Sequence, residues 1–247
     1  MRNAHQWTPS WCVVRNGTFC VSHDPRELGV GSRLAAGLGL ETWYKWIAEY
    51  ARGRLVDLGC GKVPFYQAYR LHTEECVCVD WEGATHGTQF ADYLCDLNEA
   101  LPFAEGEFDT AILSSVLEHV ARPEVLWEEL SRIVNDGGHV LVSVPFLYWI
   151  HEAPHDYYRY TEYALRRFCE RNGFCVLEFR ALGGAPEVVF DVVSKVAALL
   201  PRVGPRLAAS LQSAGICAVK RAPLAKLSRK TADRFPLGYM FVAQRAK

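Results

Sequence analysis

No stretch of this 247-residue sequence reaches the roughly 18 consecutive apolar residues of a membrane-spanning helix. The opening MRNAHQWTPSW has no apolar segment of the signal-peptide kind, so a cytoplasmic setting is the expectation. Neither sign of charge is in excess. The formal net charge of -1 offers no general attraction for nucleic acid or an anionic membrane. The nine cysteines form no CxxC pair and no regular framework, which argues against zinc and disulfides and for reduced thiols. Internal repeats and low-complexity tracts are missing too. What remains is ordinary for a packed chain: half of it is hydrophobic and 22% is charged, enough for one large α/β domain with additions.

The chain is organised around Arg54 to Phe65, RLVDLGCGKVPF. Leu55 and Val56 read as the end of a buried strand, Leu58-Gly59-Cys60-Gly61 as a sharp turn, and Pro64 to Arg70 as the helix after it. Strand, glycine turn and helix start form the first half of a nucleotide-binding α/β unit. Gly59 and Gly61, with Cys60 between them, allow the backbone to lie against a ligand, and N–H groups at the helix start face its polar atoms. A dinucleotide site wants a third glycine, and Pro64 stands there. The Asp57 carboxylate before the turn would repel a pyrophosphate and suits an ammonium group. The bland alternative is a strand-to-helix turn with no ligand.

Further along, Leu40 to Ala51 has helical apolar spacing, with Trp43, Tyr44 and Trp46 as core anchors. Glu75 to Asp80 is a second strand whose terminal Asp80 lies about twenty residues after the glycine turn, where an acid bonds ribose hydroxyls. A turn cap is its structural alternative. Trp81 offers a face for adenine. Gln89 to Leu97 reads as a third strand, Thr110 to Leu113 as a buried fourth, His139 to Pro145 as a fifth, Phe174 to Leu182 as a sixth and Pro236 to Gln244 as a seventh. Helices are expected over Pro123 to Val134 and, capped by Thr161 and stopped by Asn172-Gly173, up to Arg171. Ser114 ends the fourth strand, on the side where open α/β sheets bind ligands. Residues 1–39 read as an arm that packs on the core or covers the site. Residues 183–236 read as an insertion of two helices, Val188 to Leu200 and about Arg206 to Val219, followed by the basic residues Lys220, Arg221, Lys226, Arg229 and Lys230. That insertion is either packed on the core, a lid for a greasy substrate, or a peripheral contact with a membrane surface.

The run VDLGCG resembles motif I of the class I S-adenosylmethionine-dependent methyltransferases. LPFAEGEFDTAILSSVLEHV resembles the fourth-strand region of their type 11 group, and PHDYYRYT a loop of a subset that includes proteins linked to surface-glycan synthesis. The resemblance covers roughly residues 40–182 and the last strand. It implies a doubly wound, Rossmann-like sheet of seven mostly parallel strands, the last one antiparallel between the fifth and sixth. It also implies S-adenosyl-L-methionine as cofactor. Asp96 and Leu97 match the positions that meet the adenine amino group and ring. Val63 stands where the family usually has a further glycine, and is expected to narrow the room beside the methionine moiety.

Methyl transfer from a sulfonium is an in-line displacement in which alignment does most of the work, and only a weakly acidic hydroxyl needs a base. His119, His151 and His155 follow strand ends and are the candidates; each alone has a structural hydrogen bond as its bland reading. Asp156 is placed to orient a histidine or to pair with Arg159. His151, Glu152, His155 and Asp156 have the composition of a metal site, but the resemblance calls for no metal. The leading expectation is methyl transfer to a hydroxyl of a small molecule or glycan. A nicotinamide-dependent oxidoreductase is disfavoured by Pro64 and Asp57, and a non-catalytic scaffold by the three acids Asp57, Asp80 and Asp96. Nucleic acid as acceptor is disfavoured by the net charge and by the lack of an Asn-Pro-Pro-Tyr-type motif after the fourth strand. Nothing in the pattern sets the oligomeric state.

Overall fold

The computed structural model describes residues 1–22, 24 and 26–247. An antiparallel hairpin, β1 (Cys12–Arg15) and β2 (Thr18–Val21), opens the chain. Helices α1 (Arg33–Leu38) and α2 (Leu40–Tyr50) follow. The main sheet is built from β3 (Arg54–Leu58), β4 (Glu75–Asp80), β5 (Tyr93–Leu94), β6 (Phe108–Ser114), β7 (Val134–Pro145), β8 (Phe174–Leu182) and β9 (Gly238–Arg245). Between them lie α3 (Tyr66–Tyr69), α4 (Pro123–Ile133), α5 (Glu162–Arg171), α6 (Ala185–Ala198), α7 (Gly204–Ala218) and α8 (Ala222–Thr231). The spatial order is β5-β4-β3-β6-β7-β9-β8. The pairs from β5 to β7 are parallel, and β9 runs antiparallel to both β7 and β8. This is the doubly wound, seven-stranded Rossmann-like architecture, with the last strand inserted antiparallel.

The period-2 alternation of the strands sorts their side chains onto two faces. In β9, Tyr239, Phe241 and Ala243 join α4 and α5 in one core, while Met240 and Val242 join α2, α3 and the hairpin in the other. Trp43 and Trp46 are buried in the second core, as anchors should be, whereas Tyr44 is 37% exposed. Fully burying side chains of this size contributes about 1.5–3 kcal/mol each. All nine cysteines are free. Thr161 caps α5 by accepting from the Ala164 N–H, and Gly173 takes φ +73° just past its end.

Several elements depart from the sequence reading. The third strand shrinks from 89–97 to β5, because Phe90 and Ala91 turn into the core and the Asp92 carboxylate accepts from the Cys78 N–H. The helix after the glycine turn is only four residues, and Pro64 precedes it. β7 begins at Val134 rather than His139, so Asn135 to Gly138 extend the strand across an irregular register with β6. The insertion has three helices: the basic stretch after Val219 forms α8, which Pro223 in its first turn helps to start.

Candidate active site

The strand order reverses between β3 and β6, and a crevice opens beyond the carboxyl ends of the strands there. A cavity of about 740 Å³ occupies it. All twelve candidates from the sequence line this one cavity: Asp57, Gly59, Cys60, Gly61, Asp80, Trp81, Asp96, Leu97, Ser114, His119, His151 and His155.

The glycine turn is held from below and opened from above. The Gly59 and Cys60 N–H groups both donate to the Val79 carbonyl, at 2.9 and 3.0 Å. Gly59 has φ +69°, and a Cβ there would stand 2.6 Å from Val116 Cγ2. Val63 also takes a left-handed φ, +52°, an unfavourable conformation for a β-branched residue. Its side chain is fully buried in the α2 core and is not among the residues that line the cavity. The expected narrowing therefore does not occur, because the left-handed backbone turns Val63 inward. The Trp7 indole N–H donates to the Lys62 and Val63 carbonyls, and the Lys62 amine lies 3.0 Å from Glu27. Trp7 and Glu27 thus tie the described residues of the arm to the rim of the cavity.

Asp57 is buried and accepts a 3.0 Å hydrogen bond from the Tyr69 hydroxyl; burial pushes its carboxyl up to about 7. Asp80 Oδ2 accepts from the Gly61 N–H at 2.7 Å and Oδ1 from the Trp81 N–H at 2.9 Å. The structural cap is therefore real, and each oxygen keeps lone-pair capacity for a further donor. Burial raises this carboxyl as well. Trp81 is 40% exposed, its ring edge-on to His155 at 4.9 Å. Asp96 is exposed, and its Oδ1 accepts from the Asn98 backbone and side chain; Leu97 is buried beside it.

The acceptor side comes from two loops. After β6, Leu117–His119 forms a short 3-10 turn. The loop after β7 folds back on it: the Tyr157 N–H donates to the Glu118 carbonyl at 2.9 Å, and the Tyr160 hydroxyl to the Leu117 carbonyl at 3.1 Å. His119 Nδ1 donates to the His155 carbonyl at 2.6 Å. Asp156 takes both anticipated roles. It is gripped by the two Arg159 Nη atoms at 2.6 and 2.8 Å, and its Oδ2 accepts from the His151 N–H at 2.9 Å. Although burial opposes it, the Arg159 guanidinium holds this carboxyl below the usual range. Burial lowers His151. The less favoured metal grouping of His151, Glu152, His155 and Asp156 is not brought together as one site. Glu152 turns instead to His86 at 3.3 Å and to Thr85, contacts that hold its carboxyl down to about 2.

Sequence reasoning missed Glu118. It is completely buried, neither side-chain oxygen has a hydrogen-bond partner, and burial pushes its carboxyl up to about 8. Its Oε1 lies 3.9 Å from His119 Nε2 and 3.8 Å from His151 Nε2. The available signal was the acid–histidine pair in LEHV immediately after a strand end. The burial that makes it consequential depends on the second loop.

Residues 56–142 match the family model described as "Methyltransferase domain". An uncharacterized methyltransferase of Mycolicibacterium gilvum is 37% identical over 79 residues, 30% of this chain and 30% of that protein. A ubiquinone biosynthesis O-methyltransferase of Cupriavidus pinatubonensis is 25% identical over 206 residues, 72% of this chain and 76% of that one. Among solved structures, geranyl diphosphate C-methyltransferase from Streptomyces coelicolor, in complex with Mg2+, geranyl diphosphate and S-adenosyl-L-homocysteine, shares the fold. Its TM-score is 0.55 at 16% identity, covering 91% of this chain and 86% of that chain. The chain spans 20%, 30% and 64% of the first three curated relatives, less than two thirds of each. The fold is that of the class I S-adenosylmethionine-dependent methyltransferases. The match over residues 56–142, together with that fold, supports a methyltransferase of the type 11 group.

The cofactor of that class is S-adenosyl-L-methionine, and the cavity fits it. Asp57 offers a carboxylate to an ammonium, Asp80 keeps acceptor capacity, and Trp81 presents an exposed ring. A pyrophosphate finds no such match, since Lys62 of the turn is already paired with Glu27 and two acids flank the turn. Among the described residues, no helix is long and apolar enough to cross a membrane.

Proposed function

We propose that this protein transfers a methyl group to a hydroxyl of a small molecule or sugar. The observation that carries the reading is the buried Glu118 carboxylate, unpaired between His119 and His151 on the wall of the cavity that also holds motif I. His119 Nε2, left bare because the ring's Nδ1 donates to the His155 carbonyl, suits an acceptor that arrives with an O–H. S-adenosylmethionine, when bound, supplies an electrophilic methyl on a sulfonium with a neutral leaving group. Asp57, Gly59, Cys60 and Gly61 would hold its methionine part beside Ser114, and Asp80, Trp81, Asp96 and Leu97 its adenosine. His119 and His151 with Glu118 would orient the acceptor and take its proton, a contribution of about 10²–10⁴-fold. His155 then acts through its carbonyl by fixing His119. The O-methyltransferase name of the Cupriavidus relative agrees with a hydroxyl acceptor.

The test is a panel of hydroxyl, amine and activated-carbon acceptors incubated with methyl-labelled cofactor, with NMR of the product locating the label. Oxygen is the expected site; label on nitrogen or carbon overturns the reading. A peripheral membrane contact is supported by the exposed Val189, Val196, Leu199 and Val203 of the insertion together with its basic α8. A cytoplasmic setting agrees with nine free cysteines.

A further inference from the structure

Glu118, His119 and His151 present one donor atom each, all within 4.8 Å of one another. The tautomers decide what those atoms are. His119 Nδ1 must carry the proton, because its 2.6 Å partner is the His155 carbonyl, so its Nε2 is a bare lone pair. His151 Nδ1 lies 3.3 Å from Asp156 Oδ2 and 3.5 Å from Arg159 Nη2; the tautomer with its proton on Nδ1, toward the carboxylate, leaves Nε2 bare. Both Nε2 atoms point at Glu118 Oε1, 3.8 and 3.9 Å away. In that tautomer two imidazole lone pairs converge on a carboxyl group whose two oxygens have no hydrogen-bond partner. One proton can bridge only one such pair, whereas one cation satisfies all three.

We propose that Glu118, His119 and His151 bind a divalent transition-metal ion, with Zn2+ as the ion the donor set fits best. Two imidazoles and one carboxylate are borderline nitrogen and oxygen ligands, suited to Zn2+ rather than to Mg2+, which prefers all-oxygen shells. Ligand atoms at ~2.1 Å from a tetrahedral ion stand roughly 3.4 Å apart, so the two Glu118 contacts must close by about half an ångström and the imidazoles must approach each other by up to about 1.4 Å. Each imidazole already has its other nitrogen held by a carbonyl or a carboxylate, the outer support that metal-bound histidines require. All three residues line the cavity, so the remaining coordination position opens toward the acceptor. A hydroxyl on such an ion is more acidic than in water. That consequence rests on the reading of a hydroxyl acceptor; the site itself does not.

The test uses the full chain stripped with a chelator and titrated with Zn2+ alone by calorimetry, and with Co2+ alone by visible absorption. The expected result is one Zn2+ per chain, a rise in melting temperature, and a Co2+ spectrum without thiolate charge-transfer bands. Glu118→Gln and His151→Ala should each lose at least tenfold in Zn2+ affinity and the thermal shift, and Asp156→Asn should lose about 10–100-fold. If Glu118→Gln fails to fold, the more exposed His151→Ala decides. Absence of binding by the wild type, or equal binding by the variants through the cysteines, overturns the proposal. Methylation is not measured, so a wrong acceptor reading leaves these outcomes unchanged.

Discussion

Asp57 and Asp80 are acids two strands apart with different duties. Asp57 is the more buried, and its carboxyl is pushed up from 3.8 to about 7. The folded protein therefore binds a proton there that the unfolded chain has released. This contribution to stability is full below about pH 4 and is lost as pH rises toward 7, a span of roughly 4 kcal/mol at 1.36 kcal/mol per unit. Asp57→Asn should flatten that slope, so urea midpoints at pH 5 and pH 8 should differ less than in the wild type. An equal difference would place the pH dependence elsewhere. Asp80 anchors two backbone N–H groups and faces the cavity. Asp80→Ala should weaken cofactor binding by about 1–3 kcal/mol in calorimetry, the scale of a hydrogen bond to a charged group. Unchanged affinity with a lowered melting temperature would reduce it to a cap. Val63 carries a strain that a glycine there would not. Val63→Gly loses the buried side chain but relieves the left-handed backbone, by about 1–2 kcal/mol. It should be at least as stable as Val63→Ala, and a clearly less stable glycine variant would show that φ +52° costs little here.

Among the elements, α6 is the one whose composition most resists its burial. Asp191 and Lys195 are one turn apart and both buried, with Nζ 2.5 Å from Oδ2 and 3.3 Å from the centre of the Tyr148 ring. Burial brings the lysine down to about 8. Removing one partner strands the other, so Lys195→Met should cost about 3–5 kcal/mol, while Asp191→Leu with Lys195→Met should recover most of it. Thermal melts of the two variants separate this from simple loss of packing. Tyr148 lines the cavity, so Lys195 over its ring ties the insertion to the acceptor side, and the 2.9 Å contact of its hydroxyl with Ser32 Oγ ties the arm to the same place. α2 and α5 were legible as sequence because their apolar spacing and caps are local. β5 was not, since only the burial of Phe90 and Ala91 against the rest of the sheet shortens it.

For the whole molecule, the insertion exposes an apolar surface on α6 and the following turn, with Val189 60%, Val196 60% and Leu199 74% exposed. The net charge of -1 conceals the local basic stretch of α8. If that combination meets a membrane, the protein should co-sediment with anionic liposomes at low salt and leave them as salt rises. No binding at low salt would leave a packed lid.

The sequence alone determined the order of the strands in the main sheet and of helices α2, α4 and α5, the glycine turn and the acids at strand ends, because each depends on periodicity and on residues within a few positions of one another. Strand β9 could be placed between β7 and β8 only through the resemblance to a known family. Tertiary structure alone decided which way Val63 points, where Glu152 goes, and that Glu118 is sealed between two histidines from different loops. Burial and the convergence of distant loops are properties of the packed chain. A glutamate reads the same in a sequence whether water or two imidazoles surround it.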